Sequence, residues 1–273
     1  MAMIPLLALA LLASAPAPAP ADRTEIDGAG NRIETFAPVA GGKAANETAS
    51  AVHCTADRRR CAQLSRDVDG DVWTIYLFDR LPGATGATPI ASFAVPGEGE
   101  VSAVTIWPRI VRQASGRILV GVEVTTSTSY SGGGASAATL TLAAADAGSE
   151  GMTKVLTVPA SGSAMIRACF SERDMKQRAG ACHDNYAFAG TLTLDPAVRT
   201  GAPRFVFTTS AATFPGPVSR QADSLAAKPL RKRDVKWVKD AGCSYRRTLS
   251  PDAALGDYRP DIPLPACDDY LVP

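Results

Sequence analysis

Arg117-Ile118-Leu119-Val120-Gly121-Val122-Glu123-Val124-Thr125-Thr126 alternates with a period of two. Ile118, Val120, Val122 and Val124 fall on one face, the signature of a strand whose successive side chains point to opposite sides of a sheet. Upstream, Gln63–Asp67 and Asp71–Phe78 flank Asp69-Gly70, a two-residue hairpin turn signal. In the second of these strands Trp73, Ile75 and Leu77 face one way and Val72, Thr74, Tyr76 and Phe78 the other. Both faces are largely apolar, so this strand is expected to have neighbours on each side.

Further segments at similar spacing read the same way: Ile90–Val95, Val101–Trp107, Thr139–Leu142, Lys154–Val158 and Met165–Phe170. Thr191–Leu194 and Arg204–Thr209 form another hairpin around the Pro196–Pro203 loop, and Val235–Val238 and Ser244–Leu249 flank Asp240-Ala241-Gly242. Ser127–Ser136 is rich in Ser and Gly and reads as a hairpin tip or exposed loop. Helix is scarce. Ser171–Ala179 is the best candidate, with Ser171 as its cap. Many short strands between turn signals predict an all-β, mainly antiparallel fold. The expected architecture is a β-sandwich or barrel-like sheet stack with one short helix, stapled by disulfides.

Six cysteines support the staple. Cys54 and Cys61, Cys169 and Cys182, and Cys243 and Cys267 are each close in sequence, and proximity suggests that sequential pairing, although six thiols allow 15 connectivities. A disulfide framework implies an oxidising compartment. Residues 4–12, Ile-Pro-Leu-Leu-Ala-Leu-Ala-Leu-Leu, are too few to span a bilayer and suit the apolar core of a signal peptide. Cleavage after Ala21 avoids a proline just past the scissile bond and leaves Asp22 as the mature N-terminus. The expected organisation is a signal peptide at 1–21, a loosely ordered N-terminal arm at 22–50 and a single β-rich domain at 51–273. The location is periplasmic or extracellular, with no transmembrane segment after cleavage.

With 46% hydrophobic and 20% charged residues and a formal net charge of +1, the chain has no global field that would select nucleic acid or a membrane. Motifs for chemistry are sparse. The two histidines each adjoin a cysteine, His53-Cys54 and Cys182-His183, but no Cys-x-x-Cys spacing accompanies them, so no metal is expected. Asp67-Val68-Asp69-Gly70-Asp71 resembles a calcium loop until the sixth and twelfth positions, where Val72 and Phe78 stand for the required glycine and glutamate. Gly41-Gly42-Lys43 lacks the rest of a phosphate loop, and no Gly-x-Ser-x-Gly elbow occurs. Asn46-Glu47-Thr48 is a formal glycosylation sequon. Acids available for a glycosidase pair include Glu98, Glu100, Glu123 and Asp146. Glu123 is the oddest, in an otherwise apolar strand, and is expected on the solvent face beside Leu119 and Gly121.

Two basic stretches remain. Arg58-Arg59-Arg60 lies inside the first cysteine loop. Lys228–Arg247 is the second, and Lys232, Arg233, Lys236, Arg246 and Arg247, with Trp237 interleaved, form the candidate ligand-binding surface. Its expected partner is an anionic polysaccharide or an envelope protein; the competing expectation is a two-faced strand with Val235 and Trp237 in the core. The reading is a non-enzymatic binding or envelope-accessory protein without cofactor, and the alternative is a hydrolase of glycans or esters using carboxylates or His183.

Overall fold

A computed structural model of the chain describes residues 24–39, 49–67, 72–95 and 101–273. The proposed signal peptide and its cleavage point, Gly41-Gly42-Lys43, the sequon at Asn46, the Asp69-Gly70 turn with Val68–Asp71 of the calcium-like motif, and Glu98 and Glu100 lie outside them.

Among the described residues, sixteen strands and two short helices follow in order. They are β1 (Glu25–Ile26), β2 (Arg32–Thr35), β3 (Ala37–Pro38), β4 (Ala49–Cys54), β5 (Cys61–Arg66), β6 (Trp73–Phe78), β7 (Pro89–Val95), β8 (Val101–Arg112), β9 (Ile118–Tyr130), β10 (Gly133–Ala145) and β11 (Met152–Arg167). After α1 (Glu172–Gln177) come β12 (His183–Leu194), β13 (Phe205–Phe214), β14 (Val238–Lys239), β15 (Arg246–Asp252), β16 (Asp257–Pro260) and α2 (Asp268–Leu271). The larger sheet runs β1-β2-β8-β9-β10-β11-β12-β13-β15-β16, with β14 added to β13; the smaller runs β3-β4-β5-β6-β7. Every strand pairing is antiparallel, as the alternating pattern predicts.

β9 shows why the fold is layered. Ile118, Val120 and Val122 pack against Leu64, Ile75 and Leu77 of the smaller sheet, with Val124 at the margin. Leu119 points the other way, into a second core with Trp107, Leu140, Leu142, Leu192, Phe205 and Phe207. A strand buried on both faces loses its polar alternation, and this one does so up to Glu123. The second core exists because the larger sheet curls. Its first strands come to lie beside β12, where Glu25 Oε2 accepts the Leu194 N–H at 2.8 Å and the Asn31 amide donates to Gly201 O at 3.1 Å. A sandwich-like stack and a curled sheet therefore coexist. β6 has partners on both sides, β5 and β7, as its two apolar faces imply.

All three sequential disulfides form, with Cα–Cα separations of 4.1, 4.8 and 5.8 Å for Cys54–Cys61, Cys169–Cys182 and Cys243–Cys267. The second encloses α1, capped by Ser171, whose hydroxyl accepts from Asp174 N. The third pins α2, where Tyr270 is buried edge-on against Tyr186 and donates to Asp240 at 3.0 Å.

Ser127–Ser136 is the expected hairpin tip and not an exposed loop: β9 and β10 stay in register from Ser127↔Ser136 to Tyr130↔Gly133, and only Ser131 and Gly132 turn. The neighbouring strand β11 carries the ladder that far, through Gly133↔Ile166, so the backbone is paired although the side chains are small and polar. The segments around Asp240 do not pair with each other. β14 and β15 instead lie end to end along β13, at Ala212–Thr213 and Phe205–Thr208. The described part of the N-terminal arm is firmly held: β2 pairs β8, and Ile33 and Phe36 are wholly buried, one in each core.

Candidate ligand-binding pocket

Two interruptions in the ladders open a hollow in the larger sheet. On β8, Ile106 pairs Val122 and Ile110 pairs Val120, so Trp107, Pro108 and Arg109 stand opposite the single residue Gly121. Such bulges bend a strand and collect beside functional sites, and Pro108, with no N–H to offer, suits one. Gly121 has to be a glycine: a Cβ there would lie 2.7 Å from the Cβ of Trp107 and 3.0 Å from Leu140 and Leu142. On the opposite wall, pairing between β11 and β12 stops at Ser161↔Ala189. Beyond it Pro159 lies against Gly190, where a Cβ would meet Pro159 O at 2.5 Å and the Phe207 ring at 2.8 Å.

Between these walls is a cavity of about 380 Å³. Its rim is the stretch Thr35–Pro38, which leaves β2 in one sheet and enters β3 in the other; Phe36 N donates to Pro108 O at 2.9 Å at the crossing. Leu140, Val158, Ala160, Leu192 and Phe207 make the apolar floor. The volume falls within the range of small-molecule sites, about 300–1,000 Å³, which are commonly apolar with few polar groups.

Among the described residues, two charged side chains line the cavity, Glu123 and Arg109. Arg109 is tied down: its guanidinium donates to Glu25 Oε1 at 2.6 Å, and the other oxygen of Glu25 takes the Leu194 N–H. That clamp joins β8, β1 and β12 around the hollow. Glu123 is half-buried, and burial pushes its carboxyl above the ordinary glutamate range. Among the described residues it takes no hydrogen bond. The expectation that Glu123 faces solvent is overturned. It does share a face with Leu119 and Gly121, but the curl of the sheet turns that face inward.

The residues singled out on charge do not form one cluster. Trp237 and Lys236 adjoin β14, whose Val238 pairs Thr213, whereas Arg246 pairs Thr208, so the two groups stand about 17 Å apart along β13. Lys232 and Arg233 sit in an exposed 3-10 turn at Lys232–Asp234. Arg247 lies over the Tyr245 ring at 5.0 Å. Trp237 is not in the core: it is 54% exposed, rests on Phe214 at 5.7 Å, and edges an open groove of about 470 Å³ that includes Ser127, Ser136, Ser163 and Asn185.

His183 and its neighbour Asp184 do not build a catalytic group. His183 is exposed, and Asp184 on the next residue of β12 is buried on the opposite face. Asp184 receives the Arg178 guanidinium and the Ser224 hydroxyl. His53 packs beside Phe36 at 6.1 Å. All six cysteines are in disulfides, and among the described residues no group of three or more His, Cys, Asp or Glu is arranged to hold a metal. Asp146 pairs with Arg117 at 2.9 Å just past the end of β10, well along the strand from Leu140, the partner of Glu123, so these two acids do not face each other.

Sequence reasoning missed Trp107, Pro108, Gly121, Pro159 and Gly190 as pocket-forming residues. The available signal was a glycine inside an apolar strand two residues before a lone acid, since glycine in a strand marks a bulge or a close backbone approach. No protein-family model, curated protein or solved structure matches the chain.

Proposed function

We propose that the chain is an exported, non-enzymatic binding protein whose ligand is a small, largely apolar molecule held in the cavity between Trp107 and Phe207. The carrying observation is one apolar cavity with a single desolvated acid in its wall. Three disulfides fit residence in an oxidising compartment, and among the described residues no helix is long and apolar enough to cross a membrane. A carboxylate hydrolase of glycans has less support. It needs two acids about 5–10 Å apart, and Glu123 is the sole acid among the described lining residues.

The test uses the neutral fluorophore N-phenyl-1-naphthylamine. Saturable binding to the native chain, abolished by filling the cavity with Ala160→Trp, is the expected result. No binding, or binding unchanged in the folded variant, overturns the reading. Intact mass of protein recovered from an exporting host tests the cleavage after Ala21.

The exposure of Trp237 beside a hydroxyl-lined groove favours a second reading, an anionic glycan or acidic partner at Lys232, Arg233, Lys236 and Trp237. It leaves Arg246 and Arg247 outside the contact. Salt-sensitive retention on immobilised heparin should then vanish when Lys232, Arg233 and Lys236 are reversed to glutamate, and unchanged retention removes this surface.

A further inference from the structure

Resting on the cavity reading above, we infer that the ligand carries a protonated amine on an apolar body, with the ammonium seated against Glu123. The argument is one of charge and hydrogen-bond accounting within the wall. Glu123 projects from β9 two residues past Gly121, on the face that the curled sheet turns inward. Apart from Arg109, none of the other described side chains that line the cavity with it is charged. A carboxylate in such surroundings is costly unless a cation and hydrogen-bond donors meet it.

Arg109 lines the same cavity, yet its charge is already balanced. Glu25 binds it at 2.6 Å and is itself fixed by the Leu194 N–H, so acid and base cancel at that wall. Among the described lining residues, what remains is one acid facing apolar surface. An anionic ligand would set a second carboxylate or phosphate beside Glu123 and leave both unpaired. A neutral apolar ligand would fill the volume but leave Glu123 as desolvated as before. An amine does both: its apolar body meets Leu192 and Phe207, and its N–H groups donate charge-assisted hydrogen bonds to the carboxylate.

The experiment compares three probes of one shape at pH 7 by calorimetry: 2-(1-naphthyl)ethylamine, 2-(1-naphthyl)ethanol and 3-(1-naphthyl)propionate. The amine should bind at least about tenfold more tightly than the alcohol, and the acid most weakly, in line with the strength of charge-assisted pairs. Glu123→Gln should bring the amine down to the level of the alcohol. Carboxyl-carbon NMR of Glu123 should report a lowered pKa with the amine bound. Equal affinity for amine and alcohol, or preference for the acid, overturns the amine assignment and leaves the cavity reading standing. Failure of all three to bind overturns both. The comparison on the unmodified chain decides the matter even if Glu123→Gln does not fold.

Discussion

Asp184 and Glu123 are two carboxyl groups taken out of water in opposite ways. Asp184 is the deeper, in a side chain only 6% exposed, yet it is fully met: Arg178, itself 3% exposed, binds one oxygen and Ser224 donates to the other. Arg178 also donates to Ala181 O at 2.9 Å, so the Arg178 half of the pair is embedded in the loop closed by Cys169–Cys182. Glu123 is shallower and has no such company. Depth alone would rank Asp184 as the candidate site; a complete set of partners marks it as a fastening between β12 and the 224 region. Desolvation without partners beside an open cavity is the feature that points to a ligand.

The contrast can be broken from its strong side first. Arg178→Ala leaves a buried carboxylate uncompensated and should cost about 3–5 kcal/mol of unfolding free energy in denaturant titration. A cost near zero would mean that Asp184 is rehydrated and that the fastening is illusory. Replacing Cys169 and Cys182 together by alanine should cost about 2–4 kcal/mol. Combined with Arg178→Ala it should cost less than the sum, because both hold the same loop.

On the cavity side the effects shrink. Gly121→Ala pushes a methyl group against Trp107, Leu140 and Leu142, and overpacking of this kind costs about 1–3 kcal/mol. Binding of N-phenyl-1-naphthylamine should weaken as the bulge shifts.

The smallest and most diagnostic effect is the pH dependence at Glu123. Burial raises its folded pKa above the unfolded value. The folded chain therefore holds this proton more tightly. That contribution to stability is fully present below the unfolded pKa and is lost as pH rises through the folded pKa. Glu123→Gln should match the native chain in acid and exceed it slightly at neutral pH. Equal pH profiles for the two chains would mean that Glu123 is well solvated.

The apolar alternation of Ile118–Val124, the Pro196–Pro203 hairpin, the Ser171 cap and the nearest-neighbour cysteine pairs were all legible in the sequence, because each depends on local spacing. The cavity was not. Glu123 was noticeable as an acid in an apolar strand, but which face is inside depends on how far the larger sheet curls, and that is set by contacts such as Glu25 with Arg109 and Leu194 that span 84 and 169 residues. How far the Ser127–Ser136 hairpin stays paired was hidden for a related reason. Its side chains look like a loop, while its backbone is recruited by β11, whose length no pattern within 127–136 encodes.

The bulge at Trp107–Arg109 carries one more consequence. The hollow is framed by breaks in backbone pairing, and Thr35, Ala37, Ala160 and Thr191 merely paper its walls. Descendants of this chain could exchange those four side chains, and so change the guest, while inheriting the same frame.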